Sequence, residues 1–256
     1  MDNKKIYNET EMVALAHDLR LKTFEAFIVN GEAHLGGSFS MIEGLLSVMS
    51  IMNFDNDTFV LSKAHASFPY CIYLQDLGYN VPIKTHLERI EGTPIKTTTG
   101  SLGHGLPIAA GIAAGMKRQS KNGKVFVMIS DGECQEGTTW ETLLIANAHK
   151  LNNLIVLVDN NKIQALDFVD DTLPLGDLAK KFDSFEWKCT EVQNGHCFKE
   201  IMNAIDISML SDKPSCIILN TIKGKGVPEF ENDPVWHAKK IKENEKIIGR
   251  KALEAE

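Results

Sequence analysis

The stretch from Val125 to Ile163 constrains the fold more than any other part of the chain. It opens with VFVMISDG, passes through ECQEGTTWETLLIANAHKL and closes with NLIVLVDNNKI. Both ends are short apolar runs rich in Val, Ile and Leu, the composition of strands buried on two faces. Between them Trp140, Leu143, Leu144, Ala148 and Leu151 recur at helical period. Strand, helix and strand in that order predict a βαβ crossover, and with it an α/β fold: a doubly wound, mainly parallel sheet with helices on both faces. Thr138 and Glu141 have capping-box spacing, which places the helix start near Thr138 with its amides facing the strand ends.

In such sheets ligands collect outside the carboxyl ends of the strands. Asp131 follows the first run, and Asp159, Asn160 and Asn161 follow the second. Asp131 and Asn161 are hard oxygen donors with no thiolate or imidazole between them, a set that suits Mg²⁺ or Ca²⁺ better than zinc. So few protein ligands leave the other positions to water and phosphate, so these residues point to a metal bridging protein to a diphosphate. The same residue types also serve as plain turn formers at strand ends.

The run SDGECQEG, followed by NNKI, resembles the thiamine diphosphate motif of transketolases, which begins GDG and ends in Asn. The resemblance implies that Asp131 and Asn161 are side-chain ligands of Mg²⁺, that the Ile163 carbonyl is a third ligand, and that the Gly132 backbone approaches the diphosphate. Glu133 stands beside Gly132 in the same cofactor motif; its plainer reading is a carboxylate favouring a helix N-terminus. Ser130 replaces the first Gly of GDG, and a positive φ there would be strained.

At 256 residues and 43% hydrophobic content, the chain can fill a large core, and residues 1–256 are expected to form one domain. A formal charge of -7 argues against nucleic acid or an anionic membrane as the main partner. The N-terminus MDNKKIYNETEMVALAHDL has no secretory h-region, and no run approaches the about 18 apolar residues of a membrane helix. Five cysteines, odd in number, widely spaced and without CxxC, fit a reduced cytoplasmic setting better than a disulfide framework. Cys134 adjoins the motif but has no cationic partner in sequence, so it reads as a packing residue.

Elsewhere the pattern predicts a helix over Glu9–Val29, with Met12, Leu15, Leu19, Phe24 and Phe27 among its apolar positions, then a break, NGEAHLGGSFS, carrying His34. A helix over Met41–Met52, a strand over Phe59–Leu61 and a turn holding His65 follow. In GSLGHGL, Gly100, Gly103 and Gly105 permit close backbone approach, and Pro107 begins a helical turn; a structural turn accounts for this run equally well. Asp177–Asp183 reads as a short helix, Phe198–Leu210 as a longer one and Ser215–Thr221 as a third parallel strand. A loop with His237 then crosses the strand ends ahead of a charged terminal helix.

HLGGS at His34, LSKAH at His65, His86 ahead of Thr97, and WH at His237 fall where transketolases and their split relatives carry active-site histidines. The resemblance spans about Glu9 to Lys240. It implies that His65 and His237 lie near the diphosphate or the reacting carbon, that His34 with His237 moves the substrate hydroxyl proton, and that His86 hydrogen-bonds the ketol fragment. Gly37, Gly100, Ser101 and Leu102 would line the cofactor. Leu35 and Leu87 stand where the family often has Pro, Ala238 where it has Gly, and His104 where Gln is common. These departures bear on loop geometry and substrate choice.

The family's pyrimidine-binding and C-terminal domains have no counterpart before Glu256. The resemblance therefore implies the N-terminal subunit of a split transketolase, paired with a separate C-terminal subunit in a two-fold heterotetramer acting on small sugars. Glu136 would meet the partner's activating glutamate, or merely favour a helix N-terminus. The competing readings are the α subunit of a 2-oxo-acid dehydrogenase first component, disfavoured by the histidines and WH, and a non-catalytic scaffold of the same fold.

Overall fold

The computed structural model describes residues 8–31, 34–165 and 167–255. Met1–Tyr7 and the Glu32–Ala33 part of the predicted break lie outside them. Five strands, β1 (Thr58–Leu61), β2 (Val125–Ser130), β3 (Leu154–Asn160), β4 (Lys188–Val192) and β5 (Ser215–Asn220), form one sheet in the order β1-β2-β3-β5-β4. Every neighbouring pair is parallel, as the crossover predicts.

Because successive side chains of a strand point to opposite faces, one set of apolar runs builds two cores. Phe126, Met128, Ile155, Leu157, Ile217 and Leu219 face one of them. Against these pack α1 (Glu9–Asn30), α2 (Leu35–Ser40), α3 (Ile42–Ile51), α4 (Phe68–Asp76), α9 (Phe198–Met209) and α10 (Glu243–Ala255). Val125, Val127, Ile129, Val156, Val158 and Ile218 face the other, under α5 (Gly105–Arg118), α6 (Gly137–Ala148), α7 (Val169–Thr172) and α8 (Leu178–Ser184). Two-sided burial is why β2 and β3 are apolar up to their carboxyl ends, where Ser130, Asp159 and Asn160 stand, every residue of each being buried.

Helix α1 starts on a capping box: Asn8 Oδ1 accepts from the Glu11 amide and Glu11 Oε2 from the Asn8 amide, both at 2.9 Å. It stops at Gly31, whose φ of 75° ends the helix in a left-handed turn.

Three expectations need correction. The glycine-containing break ends at His34, because LGGSFS is the buried helix α2. Its glycines serve contact: a Cβ on Gly36 would lie 2.8 Å from Lys223 Cγ and 2.9 Å from the Trp236 carbonyl oxygen. Packing thus overrides glycine's weak helix propensity. On α6 the buried face is Thr139, Thr142, Leu143 and Ala146, while Leu144 is 61% exposed and Ala148 faces solvent. Finally, Thr138 does not cap α6. Glu136 is the N-cap residue, and Thr138 Oγ1 instead donates to the Gly103 carbonyl at 2.8 Å, tying the helix to the glycine run. Strand β4 and helix α4 add elements that the sequence pattern missed.

Helix α5 enters close to the end of β1. A Cβ on Gly105 would stand 2.2 Å from Ser62 Oγ and 2.7 Å from Ser62 Cα, the latter a backbone atom that cannot swing aside. Gly105→Ala is therefore expected to cost about 1–3 kcal/mol, measured as a lowered urea midpoint at unchanged m-value.

Candidate active site

Three loops at the carboxyl end of the sheet bring three imidazoles together. His34 precedes α2, His65 lies in the 3-10 turn Ala64–Ala66 after β1, and His237 ends the 3-10 turn Pro234–His237. The ring centroids are 5.2 Å apart for His34 and His65, 5.3 Å for His34 and His237, and 5.5 Å for His65 and His237. Gly37 lies against His65: a Cβ there would lie 3.5 Å from His65 Nε2 and 3.8 Å from Lys63 Nζ.

His86 stays outside this triangle. It is exposed, with φ of 60°; its amide donates to the Ala64 carbonyl at 3.1 Å and its ring lies against Gly100. A Cβ on Gly100 would be 2.8 Å from His86 Cδ2, and with φ of 157° the position suits glycine alone. Ser101 and Leu102 continue this loop; Ser101 is exposed and Leu102 half-buried. Leu35 and Leu87 are core residues, while Ala238 is exposed.

Asp131 bonds to the turn that carries the other two expected metal donors, through the Lys162 amide between Asn161 and Ile163. Asp131 Oδ1 accepts from the Gly132 amide at 2.7 Å and Oδ2 from the Lys162 amide. Asn161 Oδ1 accepts from the Ile163 amide at 3.1 Å, and Asn161 Nδ2 donates to Asp159 Oδ2 at 3.2 Å. Burial and the neighbouring Asp159 push the Asp131 carboxyl up to about 6, a shift that a cation bound beside it would reverse. Among the described residues no cluster of three or more His, Cys, Asp or Glu could hold a metal; the donors here are one carboxylate, one amide and one carbonyl. Ser130 carries no strain: it is not among the non-glycine residues of positive φ, and its hydroxyl accepts from the Glu133 amide at 3.2 Å.

Two buried lysines, neither singled out in the sequence, complete the centre. Lys63 forms an ion pair with Asp159 and donates to the Gly37 carbonyl at 2.9 Å. Burial raises the Asp159 pKa, but the Lys63 charge and the hydrogen bonds from Lys63, Ser40 and Thr221 outweigh it and hold the group low. Lys223 Nζ donates to the Ile163 carbonyl at 2.7 Å and lies 3.0 Å from His237 Nδ1. Burial, then Lys63, pulls Lys223 down to about 7. A lysine in VLSKAHA at the end of a buried strand, and another in KGKG, were the available signals.

Glu133 is fully buried and clasps the glycine run, its Oε1 accepting from the Gly103 amide at 2.9 Å and from the Ser62 hydroxyl; burial pushes it up to about 7. Glu136 is exposed beside Gly103. Cys134 is fully buried and its thiol pushed well up by burial, so it is no nucleophile. All five cysteines are free.

A buried carboxyl raised by its surroundings, with amide and carbonyl oxygens in the neighbouring turn, suits a hard divalent cation, and two buried lysines beside neutral imidazoles suit a diphosphate. Burial, then Lys63, holds His65 well below its ordinary pKa; burial, then Lys223, pulls His237 down to about 3. In the unfolded chain these rings take protons near 6.5. Their contribution to stability is therefore complete above that pH and is lost as pH falls toward the folded value. His237→Gln is expected to flatten the acid limb, removing about 2 kcal/mol of the stability loss between pH 7.5 and pH 5, read from urea unfolding at the two pH values.

A family model described as "Transketolase, thiamine diphosphate binding domain" matches residues 49–255. The chain is 32% identical over 271 residues to one of the subunits of the apulose-4-phosphate transketolase of Actinobacillus succinogenes, covering 98% of each chain. It is 32% identical over 250 residues to the 6-deoxy-6-sulfo-D-fructose transketolase subunit SqwG of a Clostridium species, covering 89% of this chain and 90% of the relative. The solved transketolase of Campylobacter jejuni superposes with a TM-score of 0.85 at 26% identity, over 97% of this chain but 43% of that one. The chain thus spans about two fifths of the full-length transketolases it matches.

Proposed function

We propose that this chain, which belongs to the transketolase thiamine diphosphate-binding domain family, acts as the N-terminal, diphosphate-binding subunit of a split transketolase. The reaction is transfer of a two-carbon ketol unit from a ketose to an aldehyde acceptor. The observation that carries the reading is the gathering of the His34, His65 and His237 rings, with Gly37 against His65 and with Lys63 and Lys223 beside them.

Asp131, Asn161 and the Ile163 carbonyl would hold Mg²⁺, for which Ca²⁺ can substitute. Gly132, Gly37, Gly100, Ser101 and Leu102 would line thiamine diphosphate, with the ammonium groups of Lys63 and Lys223 facing its charge. When bound, the cofactor supplies the electron sink for the carbanion left by C–C cleavage. The chain moves the proton. His34 with His237 assists departure of the hydroxyl proton that leaves a carbonyl, and His65 and His237, held neutral, add no positive charge of their own beside it. His86, tethered to the His65 turn, orients the ketol fragment.

The names of the two similar subunits support a separate partner chain and a modified sugar as substrate. The partner contributes the pyrimidine-binding and C-terminal domains in a two-fold heterotetramer, and the exposure of Glu136 supports its contact with that partner. Residues 1–256 act as one domain in the cytoplasm; among the described residues no helix is long and apolar enough to cross a membrane.

The test is a ketol-transfer assay of the chain, a candidate partner and the two combined. Activity of the combination alone is expected. Carbon dioxide release from a 2-oxo acid would move the assignment to a dehydrogenase subunit, and an assembled, cofactor-loaded but inert complex would leave a scaffold.

A further inference from the structure

A second polar network lies behind the site. Arg20 on α1 and Glu43 on α3 are buried, and the His196 side chain, in the loop after β4, is 9% exposed. Arg20 Nη2 donates to Glu43 Oε1 at 2.6 Å, and His196 Nδ1 lies 2.9 Å from Glu43 Oε2. The Ile222 amide donates to His196 Nε2 at 2.8 Å.

Only one proton placement satisfies all three contacts. A backbone N–H can only donate, so Nε2 must be bare. Burial pushes Glu43 up, but the Arg20 charge and the hydrogen bonds from His196 and Arg20 outweigh it and keep the group ionised, so Nδ1 must carry the proton. His196 is therefore neutral, in one fixed tautomer, and its ring cannot flip without losing both partners.

Ile222 immediately precedes Lys223, whose ammonium reaches the Ile163 carbonyl and His237. The same loop is held at Gly224, whose amide donates to the Gly36 carbonyl at 3.1 Å, and at Gly226, where a Cβ would lie 2.6 Å from Arg20 Cδ. A buried lysine with four rotatable bonds is aimed only as well as its backbone is fixed.

We propose that His196 is a positioning residue for Lys223: the Arg20–Glu43 pair locks its tautomer, and its bare Nε2 anchors the Ile222 amide and so aims the Lys223 ammonium at the Ile163 carbonyl and His237. The functional meaning of that aim rests on the cofactor reading above; the proton placement does not.

The experiment uses the full chain labelled with ¹⁵N-histidine, at pH 7.5, with no cofactor added. His196 is expected to show a protonated Nδ1 and a bare Nε2. His196→Leu, which removes the acceptor, is expected to speed hydrogen exchange of the Ile222 amide by about tenfold or more. His196→Gln, whose side-chain oxygen can still accept, should restore most of the protection. In the complex with the partner, His196→Leu should weaken binding of Mg²⁺–thiamine diphosphate, and it should have no further effect in a Lys223→Met background. A proton found on Nε2 overturns the proposal, as does equal Ile222 exchange in the wild-type and His196→Leu chains. If the leucine variant does not fold, the wild-type tautomer decides alone. The expected tautomer and exchange, with no cofactor uptake by any complex, would sink the cofactor reading and leave His196 as the anchor of the loop.

Discussion

Asp131→Ala is expected to weaken binding of thiamine diphosphate with Mg²⁺ by at least about 100-fold while leaving the cofactor-free protein folded. Asp131 is the one anionic donor of the proposed set, the others being an amide and a carbonyl, and a hard divalent cation bound by so few protein groups depends on that charge. Changes behind a ligand already cost about 10–100-fold in metal affinity, so loss of the ligand itself should cost no less. Stability should move differently. In the cofactor-free fold, burial and Asp159 hold the Asp131 carboxyl at about 6, above the ordinary aspartate value. The folded state therefore keeps a proton that the unfolded chain releases, and this carboxyl destabilises increasingly as pH rises from about 4 to about 6. Alanine removes that penalty and loses the acceptor for two amides, worth about 1 kcal/mol each. At pH 8 the two effects oppose, so calorimetry should report a large binding loss and urea unfolding only a small change. A residue kept merely as a turn former would give the reverse.

Lys63→Met should be the most destabilising single change, costing about 3–5 kcal/mol. Asp159 is fully buried at the end of β3 and accepts from Lys63, Ser40, Thr221 and Asn161. Methionine fills the space but strands a buried carboxylate. Adding Asp159→Asn should recover part of the loss, since an uncharged amide tolerates the site, and the double-mutant coupling measures the pair. The low Asp159 pKa adds a pH signature: its stabilisation is present above about 4 and is lost as pH falls through the folded value. The Lys63→Met variant should lack that acid loss, read from urea unfolding at pH 3.5 and pH 7.

The β2–α6–β3 crossover was legible because parallel strands buried on both faces must be apolar runs, and those leave an unambiguous trace. Strand β4 left none: KCTEV pairs on one side only and carries the exposed Lys188 and Glu191 that keep a sheet edge from pairing further. Helix α2 was hidden because Gly36 and Gly37 are set by what approaches them, Lys223, Trp236 and His65, all distant in sequence. The exposed Leu144 on α6 defeats periodicity, which assumes that every apolar residue is buried within its own fold.

In the site, His34, His65 and His237 were found through the motifs around them, and the structure brings their rings together; His86 lies by Gly100 instead. Lys63, Lys223 and the Arg20–Glu43–His196 network were not found. A buried lysine reads like any surface lysine until its partner is known, and Asp159 and the Ile163 carbonyl are both far away along the chain.

Calorimetric titration of thiamine diphosphate with Mg²⁺ into this chain, with and without a candidate C-terminal partner, tests the assignment most directly. Saturable binding at one site per chain, tight only with the partner present and abolished by Asp131→Ala, is expected. An assembled complex that takes up no thiamine diphosphate would contradict it, and would leave the imidazole triangle and its buried lysines to serve another anion.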